Sequence, residues 1–320
     1  MRTTQEYLDI INDALLAVSY PVEPAGLYDP VKYQLDMGGK RVRPLLALLA
    51  CEMCGGSIAD VLPAAVGIEI FHNFTLLHDD VMDKADIRRG RPTVHKAWNE
   101  NVAILSGDAM QIISYQMIGK TPSGVLKPVF DLFSATALQI CEGQQYDMDF
   151  EERDDVTEDE YIDMIRLKTA VLLGCALKTG AYVANAPAET ADALYRFGEN
   201  LGLAFQLQDD YLDVYGEPSK FGKKIGGDIL NNKKTYMLIS AMRLANPEQL
   251  AELNRLLNSA DVAPDDKIAG VTALYSALGI DRLAMEKIDY YYRNALAEIE
   301  NMSACEPLRL FASELMQRES

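Results

Sequence analysis

The chain carries one acidic pattern twice, Asp79-Asp80-Val81-Met82-Asp83 and Asp209-Asp210-Tyr211-Leu212-Asp213, 130 residues apart. Each copy follows a mainly apolar approach, FHNFTLLH before the first and GLAFQLQ before the second. On a helix, residues four apart share a face. Asp79 with Asp83, and Asp209 with Asp213, therefore aim paired carboxylates at one spot. Like charges held together out of water repel one another and lose hydration, so such a pair is costly alone. A hard divalent cation removes that cost. Mg2+ favours one or two carboxylates completed by phosphate oxygens, and two facing clusters could hold several Mg2+ ions around a diphosphate. One acidic repeat would read equally well as a solvated helix end. Two, each beyond an apolar run, argue for a site.

The elements that must present these acids are helices. Apolar residues recur at helical spacing and no stretch sustains the alternation of a strand. The pattern predicts helices over 3–19, 28–37, 42–54, 59–85, 92–99, 101–118, 124–151, 158–184, 188–216, 228–244, 247–256, 264–299 and 305–318. Turn residues separate them, among them Gly38-Gly39, Gly55-Gly56 and Thr121-Pro122-Ser123-Gly124. No flexible linker divides the chain, which reads as one all-α domain over residues 1–320, with the motif helices at the centre of a bundle. The acid-rich stretch from Asp147 to Asp163 reads as a solvated junction.

Composition limits the partners. Hydrophobic residues make up 49% and charged residues 24%, ordinary for a globular protein, and 30 basic against 48 acidic residues leave a net charge of −18. Such a surface opposes binding to nucleic acid. An anionic ligand would need metal ions or a local basic patch. Five scattered cysteines fit a reducing compartment, and Cys51 with Cys54 reads as core rather than a metal pair. The N-terminal segment has neither a signal-peptide core nor a transit composition. The longest apolar runs, roughly ten residues, fall short of a membrane span. A cytoplasmic protein without a transmembrane segment is expected.

Further motifs now complete a pattern. Gly38-Gly39-Lys40-Arg41-Val42-Arg43-Pro44, the first acidic repeat, Arg88-Arg89-Gly90-Arg91-Pro92-Thr93, Lys168-Thr169, Phe205-Gln206-Leu207-Gln208 ahead of the second repeat, Gly222-Lys223-Lys224, Gly227-Asp228 and Lys233-Lys234-Thr235 follow one another in that order. Together they resemble the trans-isoprenyl diphosphate synthases, the family of farnesyl and geranylgeranyl diphosphate synthases. The matches run from Gly38 to Thr235, about two-thirds of the chain.

The resemblance implies an all-α isoprenoid synthase-like fold: a bundle of long helices around an apolar cavity. It implies a homodimer that condenses isopentenyl diphosphate with an allylic diphosphate (dimethylallyl, geranyl or farnesyl) through a carbocation, with about three Mg2+ ions. In that reading Asp79, Asp83 and Asp209 ligate metal, and Asp210 and Asp213 reach it through water. Arg88, Lys168, Lys223 or Lys224, and Lys233 bind the allylic diphosphate. Gly39, Lys40, Arg43, His72 and Arg89 bind isopentenyl diphosphate. Thr169 and Gln206, beside Lys168, stabilise the cation by their dipoles. His78 and His95 are read as structural. Phe74 and Thr75, five and four residues before Asp79, limit product length, with twenty carbons favoured over fifteen. Three rivals stay open: a class I terpene cyclase, a non-catalytic regulatory subunit of a heteromeric synthase, and a protein that only binds Mg2+ and phosphate. The first normally lacks the Gly-Gly-Lys-Arg motif and the second normally loses acids from one repeat.

Overall fold

The computed structural model describes residues 2–216, 225–259 and 261–317. They are almost wholly helical: α1 (Thr4–Leu16), α2 (Ala25–Asp36), α3 (Val42–Met53), α4 (Ile58–Met82), α5 (Val94–Ala97), α6 (Glu100–Ile118), α7 (Ser123–Glu151), α8 (Glu158–Ile165), α9 (Val171–Val183), α10 (Ala188–Tyr215), α11 (Gly227–Leu230), α12 (Tyr236–Leu244), α13 (Pro247–Asn258), α14 (Pro264–Leu278), α15 (Ile280–Glu298) and α16 (Glu306–Met316). A π-helical turn, Arg166–Ala170, joins α8 to α9. A short antiparallel ladder pairs Ile87–Arg88 with Arg91–Pro92. The all-α expectation holds.

Three boundaries differ from the periodicity, each for a local reason. The predicted helix 228–244 is two helices, because Asn232 adopts a left-handed conformation between them, a geometry asparagine tolerates. The predicted helix 264–299 breaks at Gly279, which caps α14 at φ 68°, and α14 and α15 meet at a 71° bend. The predicted helix 158–184 contains the π turn. Such turns cluster at functional sites, and this one carries Lys168 and Thr169.

The residues fall into two compact units. One comprises residues 1–134 and 175–194. Its core is built on α3, where Pro44 through Cys51 are all buried, and on α4, buried almost throughout from Val61 to Asn73. The other comprises residues 135–174 and 195–320. Its core gathers Tyr161, Ile165, Leu203, Leu207, Met237 and Tyr275.

By length and composition alone, α4 and α7 could cross a membrane, although no uninterrupted apolar run in either approaches that length. The apolar window of α4 is 67% buried inside the protein, and that of α7 is 28% buried.

Candidate active site

In the first unit, α4 delivers Asp79 and Asp80 on its last turn and Asp83 at its C-cap. Asp79 is half-buried, Asp83 is exposed, and Asp80 is 2% exposed. Asp80 turns away from the other two and receives Arg88, whose Nε lies 2.9 and 2.8 Å from the two carboxylate oxygens and whose Nη2 lies 2.7 Å from one. The chain returns Arg88 there through a tight turn. Ala85 N donates to Asp80 O at 3.0 Å, and Thr93 Oγ1 donates to Ala85 O at 2.7 Å.

Beside this turn stands a crowd of cations. Arg89 donates to Gly38 O. Gly39 adopts φ 147°, a conformation that favours glycine, and a Cβ there would lie 2.9 Å from Nη2 at the flexible end of Arg89. Arg43 is half-buried, and its Nε is covered and lacks a hydrogen-bond partner. Burial pushes the Arg43 pKa down to about 10 against the opposing pull of Glu69. His72 is pushed well below the ordinary histidine value, first by burial and then by Arg43, Arg89, Arg88 and Arg41. Cations packed so that they disfavour one another's charge form a site an anion would relieve. Lys40 is exposed beside it.

Arg41, unassigned by sequence reasoning, does something else. It is buried in a left-handed conformation at φ 49° and serves as N-cap of α3. Its guanidinium donates to Glu69 Oε1 at 2.8 Å, Asn12 Oδ1 at 3.2 Å and Leu35 O at 3.1 Å. The signal for this pair was present: Glu69 is a lone charge in the apolar run AAVGIEIF, and a buried carboxylate demands a partner.

Phe74 is 7% exposed, with its ring 5.3 Å from that of Phe71 and 4.7 Å from that of His78. Thr75 is half-buried, and its hydroxyl donates to His72 O at 2.8 Å.

In the second unit, α10 delivers Asp209, Asp210 and Asp213. Asp209 and Asp213 are half-buried and Asp210 is 3% exposed. Tyr161 OH donates to Asp210 Oδ2, and Gln206 Nε2 donates to Oδ1 at 3.1 Å. Gln206 Oε1 in turn accepts from Thr169 Oγ1 at 3.1 Å. Burial, then the charge of Asp228, push the Asp210 pKa up to about 7, against Lys233 and the two donors. Asp213 accepts from Asp228 N at 2.9 Å through its side chain and from Gly226 N at 2.6 Å through its carbonyl. It thereby anchors the start of α11.

Lys168 pairs with Asp147 of α7 at 2.5 Å. The π turn lies so close to α7 that a Cβ on Gly143 would sit 2.8 Å from Lys168 Cα. Asp147 is thus no solvated acid but a partner of Lys168, missed because its neighbours in sequence are acidic. Other acids of that stretch are also engaged: Asp154 pairs with Lys234 at 2.8 Å and Glu158 accepts from Ser240 at 2.7 Å. Lys233 follows Asn232, which is held by Lys267 Nζ at 2.7 Å. Lys223 and Lys224 lie outside the described residues.

Among the described residues, no three His, Cys, Asp or Glu side chains converge into a complete metal cage. Paired carboxylates suit Mg2+, which keeps waters and takes phosphate oxygens as ligands.

The family model described as polyprenyl synthetase matches residues 24–317. The chain belongs to that family. It is 44% identical over 244 residues to the geranylgeranyl diphosphate synthase of Methanosarcina mazei, covering 75% of this chain and 74% of the relative. It is 36% identical over 326 residues to a short chain isoprenyl diphosphate synthase of Methanothermobacter thermautotrophicus, covering 100% and 98%. A crystal structure of a geranylgeranyl pyrophosphate synthase, 44% identical, superposes with TM-score 0.94 over 100% of both chains. This polyprenyl synthetase is therefore a prenyltransferase that builds prenyl diphosphates.

Proposed function

We propose that the enzyme extends an allylic diphosphate with isopentenyl diphosphate and stops mainly at twenty carbons. The names of the relatives support that length, together with Phe74, whose bulk stands close before the first acid repeat while Thr75 is small. The observation that carries the site assignment is the cluster of Arg43, whose covered Nε lacks a partner, Arg89, which donates to Gly38 O and lies against Gly39, and the neighbouring His72. With Gly39 and Lys40, these residues hold isopentenyl diphosphate without metal, the arginines through paired, charge-assisted bonds.

Asp79, Asp83 and Asp209 are the metal ligands in this reading, with Asp213 and Asp210 behind them, and the two repeats serve one allylic diphosphate with about three Mg2+ ions. Bound Mg2+ supplies Lewis acidity that neutralises the leaving diphosphate. Arg88, Lys168 and Lys233 add positive charge to that leaving group, with Lys223 or Lys224 expected to join them. Arg88 is already oriented by Asp80, and Lys168 by Asp147. The Thr169 hydroxyl and the Gln206 amide, linked to each other, offer dipoles to the allylic cation without a nucleophile that would trap it. None of these side chains is a strong base, so the proton lost after bond formation goes to the released diphosphate. Catalysis is then chiefly orientation, charge stabilisation and exclusion of water.

The family match runs through both compact units, which supports their acting as one catalytic domain. The reading includes a homodimer in the cytoplasm. Five free thiols fit a reducing compartment. Exposed Ile104, Leu105 and Ile112 on α6 and exposed Phe130 on α7 are apolar side chains suited to contact with a second copy.

The test is a product assay. Purified enzyme, Mg2+ and isopentenyl diphosphate are combined with dimethylallyl, geranyl or farnesyl diphosphate, and chain length is read by mass spectrometry. A dominant twenty-carbon product, lengthened by Phe74→Ala, is expected. A wild-type series of much longer chains rejects the length assignment. No condensation by folded protein that still binds Mg2+ and diphosphate returns the reading to a regulatory subunit or cyclase.

A further inference from the structure

We propose that His78, seated in a notch left by Gly107, is a positioning residue that fixes Phe74 and so helps set product length. The inference rests on the reading of Phe74 as the stop. His78 faces α6, where its Nε2 donates to Ile104 O at 3.1 Å. One turn from Ile104 along α6, Gly107 leaves the space in which the ring sits, since a Cβ there would lie 2.5 Å from His78 Cδ2. The other side of the ring meets Phe74 edge-on, at 4.7 Å and 69°.

Phe74 is thus held between two rings of its own helix, Phe71 three residues before it and His78 four residues after it. These are the spacings at which helical side chains touch. The two supports differ. Phe71 is backed by further aromatic packing, with Phe133 at 5.2 Å and Tyr115 at 5.0 Å from Phe133. His78 is backed by the α6 backbone, through one hydrogen bond to Ile104 O and the space left by the missing methyl group at Gly107. Removing its ring opens a void toward α6 into which Phe74 can turn, because packed neighbours relax partly into space left by a deleted side chain. An apolar chain then gains room beyond the former stop.

The experiment measures product ratios in the full-length enzyme with farnesyl and isopentenyl diphosphates and Mg2+. Ratios are used because His78 adjoins Asp79 and its variants can change the rate. His78→Ala is expected to raise the share of the next longer product about tenfold, the discrimination that one small change in an apolar pocket commands. The same substitution should add nothing in a Phe74→Ala background. His78→Phe keeps a ring in the notch and should keep the wild-type distribution. Gly107→Ala expels the ring and should shift the ratio as His78→Ala does, which tests the idea even if His78→Ala folds poorly. Lengthening by Phe74→Ala, with His78→Ala and Gly107→Ala both unchanged, overturns the buttress and leaves Phe74 as the stop. No change in Phe74→Ala overturns the stop and the buttress together.

Discussion

Asp80 and Asp210 hold the same place in the two acidic repeats and are almost equally buried, yet they are neutralised in different ways. Asp80 has a cation of its own, the forked Arg88 guanidinium brought back by the turn that follows α4. Asp210 has two neutral donors, Tyr161 and Gln206, with Asp228 and Lys233 as charged neighbours, and burial above all pushes its pKa up to about 7. One sequence pattern therefore gives one inner acid paired with a forked cation and one inner acid held by neutral donors. Asp210 is linked to Gln206 and through it to Thr169, the pair proposed to stabilise the cation, while Asp213 is linked to the start of α11 and hence toward Lys233.

That contrast is most open to attack at the outer acids. Asp79→Asn and Asp209→Asn should each lower kcat by about 1000-fold or more, the scale on which transition-state charge stabilisation is lost, with folding intact. Steady-state rates at saturating Mg2+ check this; near-normal turnover in either variant would remove that repeat from the metal site.

A smaller effect separates the inner acids. Arg88→Met strands a buried carboxylate and should cost about 3 kcal/mol of stability, most of it recovered by adding Asp80→Asn. Tyr161→Phe removes one donor from an acid that already has another and should cost only about 1 kcal/mol. Urea unfolding of the variants ranks them, and equal costs would erase the distinction drawn between the repeats.

The smallest effect concerns the cation cluster beside the first repeat. The folded pKa of His72 is depressed, so below about pH 6.5, the ordinary histidine value, the unfolded chain takes up a proton that the folded chain refuses. Stability is therefore retained at neutral pH and declines as the pH falls through that value. In His72→Gln the decline between pH 7 and 5 should flatten, which thermal unfolding across that range would reveal.

The helices and the repeats were legible because both depend on spacing along the chain. Apolar periodicity marks α4 and α10, and four-residue spacing marks the paired acids at their ends. Partners distant in sequence were not legible. Nothing near Asp147 announces Lys168, and nothing near Asp210 announces Tyr161, because the first pair depends on how α7 meets the π turn and the second on how α8 meets α10. Arg41 was hidden differently. It sits inside a run of basic residues of which Lys40 and Arg43 were read as ligands, and only the left-handed backbone at Arg41 turns it inward to Glu69. The breaks at Asn232 and Gly279 were written in residues that tolerate positive φ, but flanking apolar patterns in register masked them.

The central claim is that both repeats act on one diphosphate. Calorimetric titration with an allylic thiodiphosphate that cannot ionise, with and without Mg2+, tests it on the wild type, Asp79→Asn and Asp209→Asn. Affinity should rise with Mg2+ in the wild type, and either substitution should largely remove that gain. A wild-type gain retained by either variant would contradict the claim.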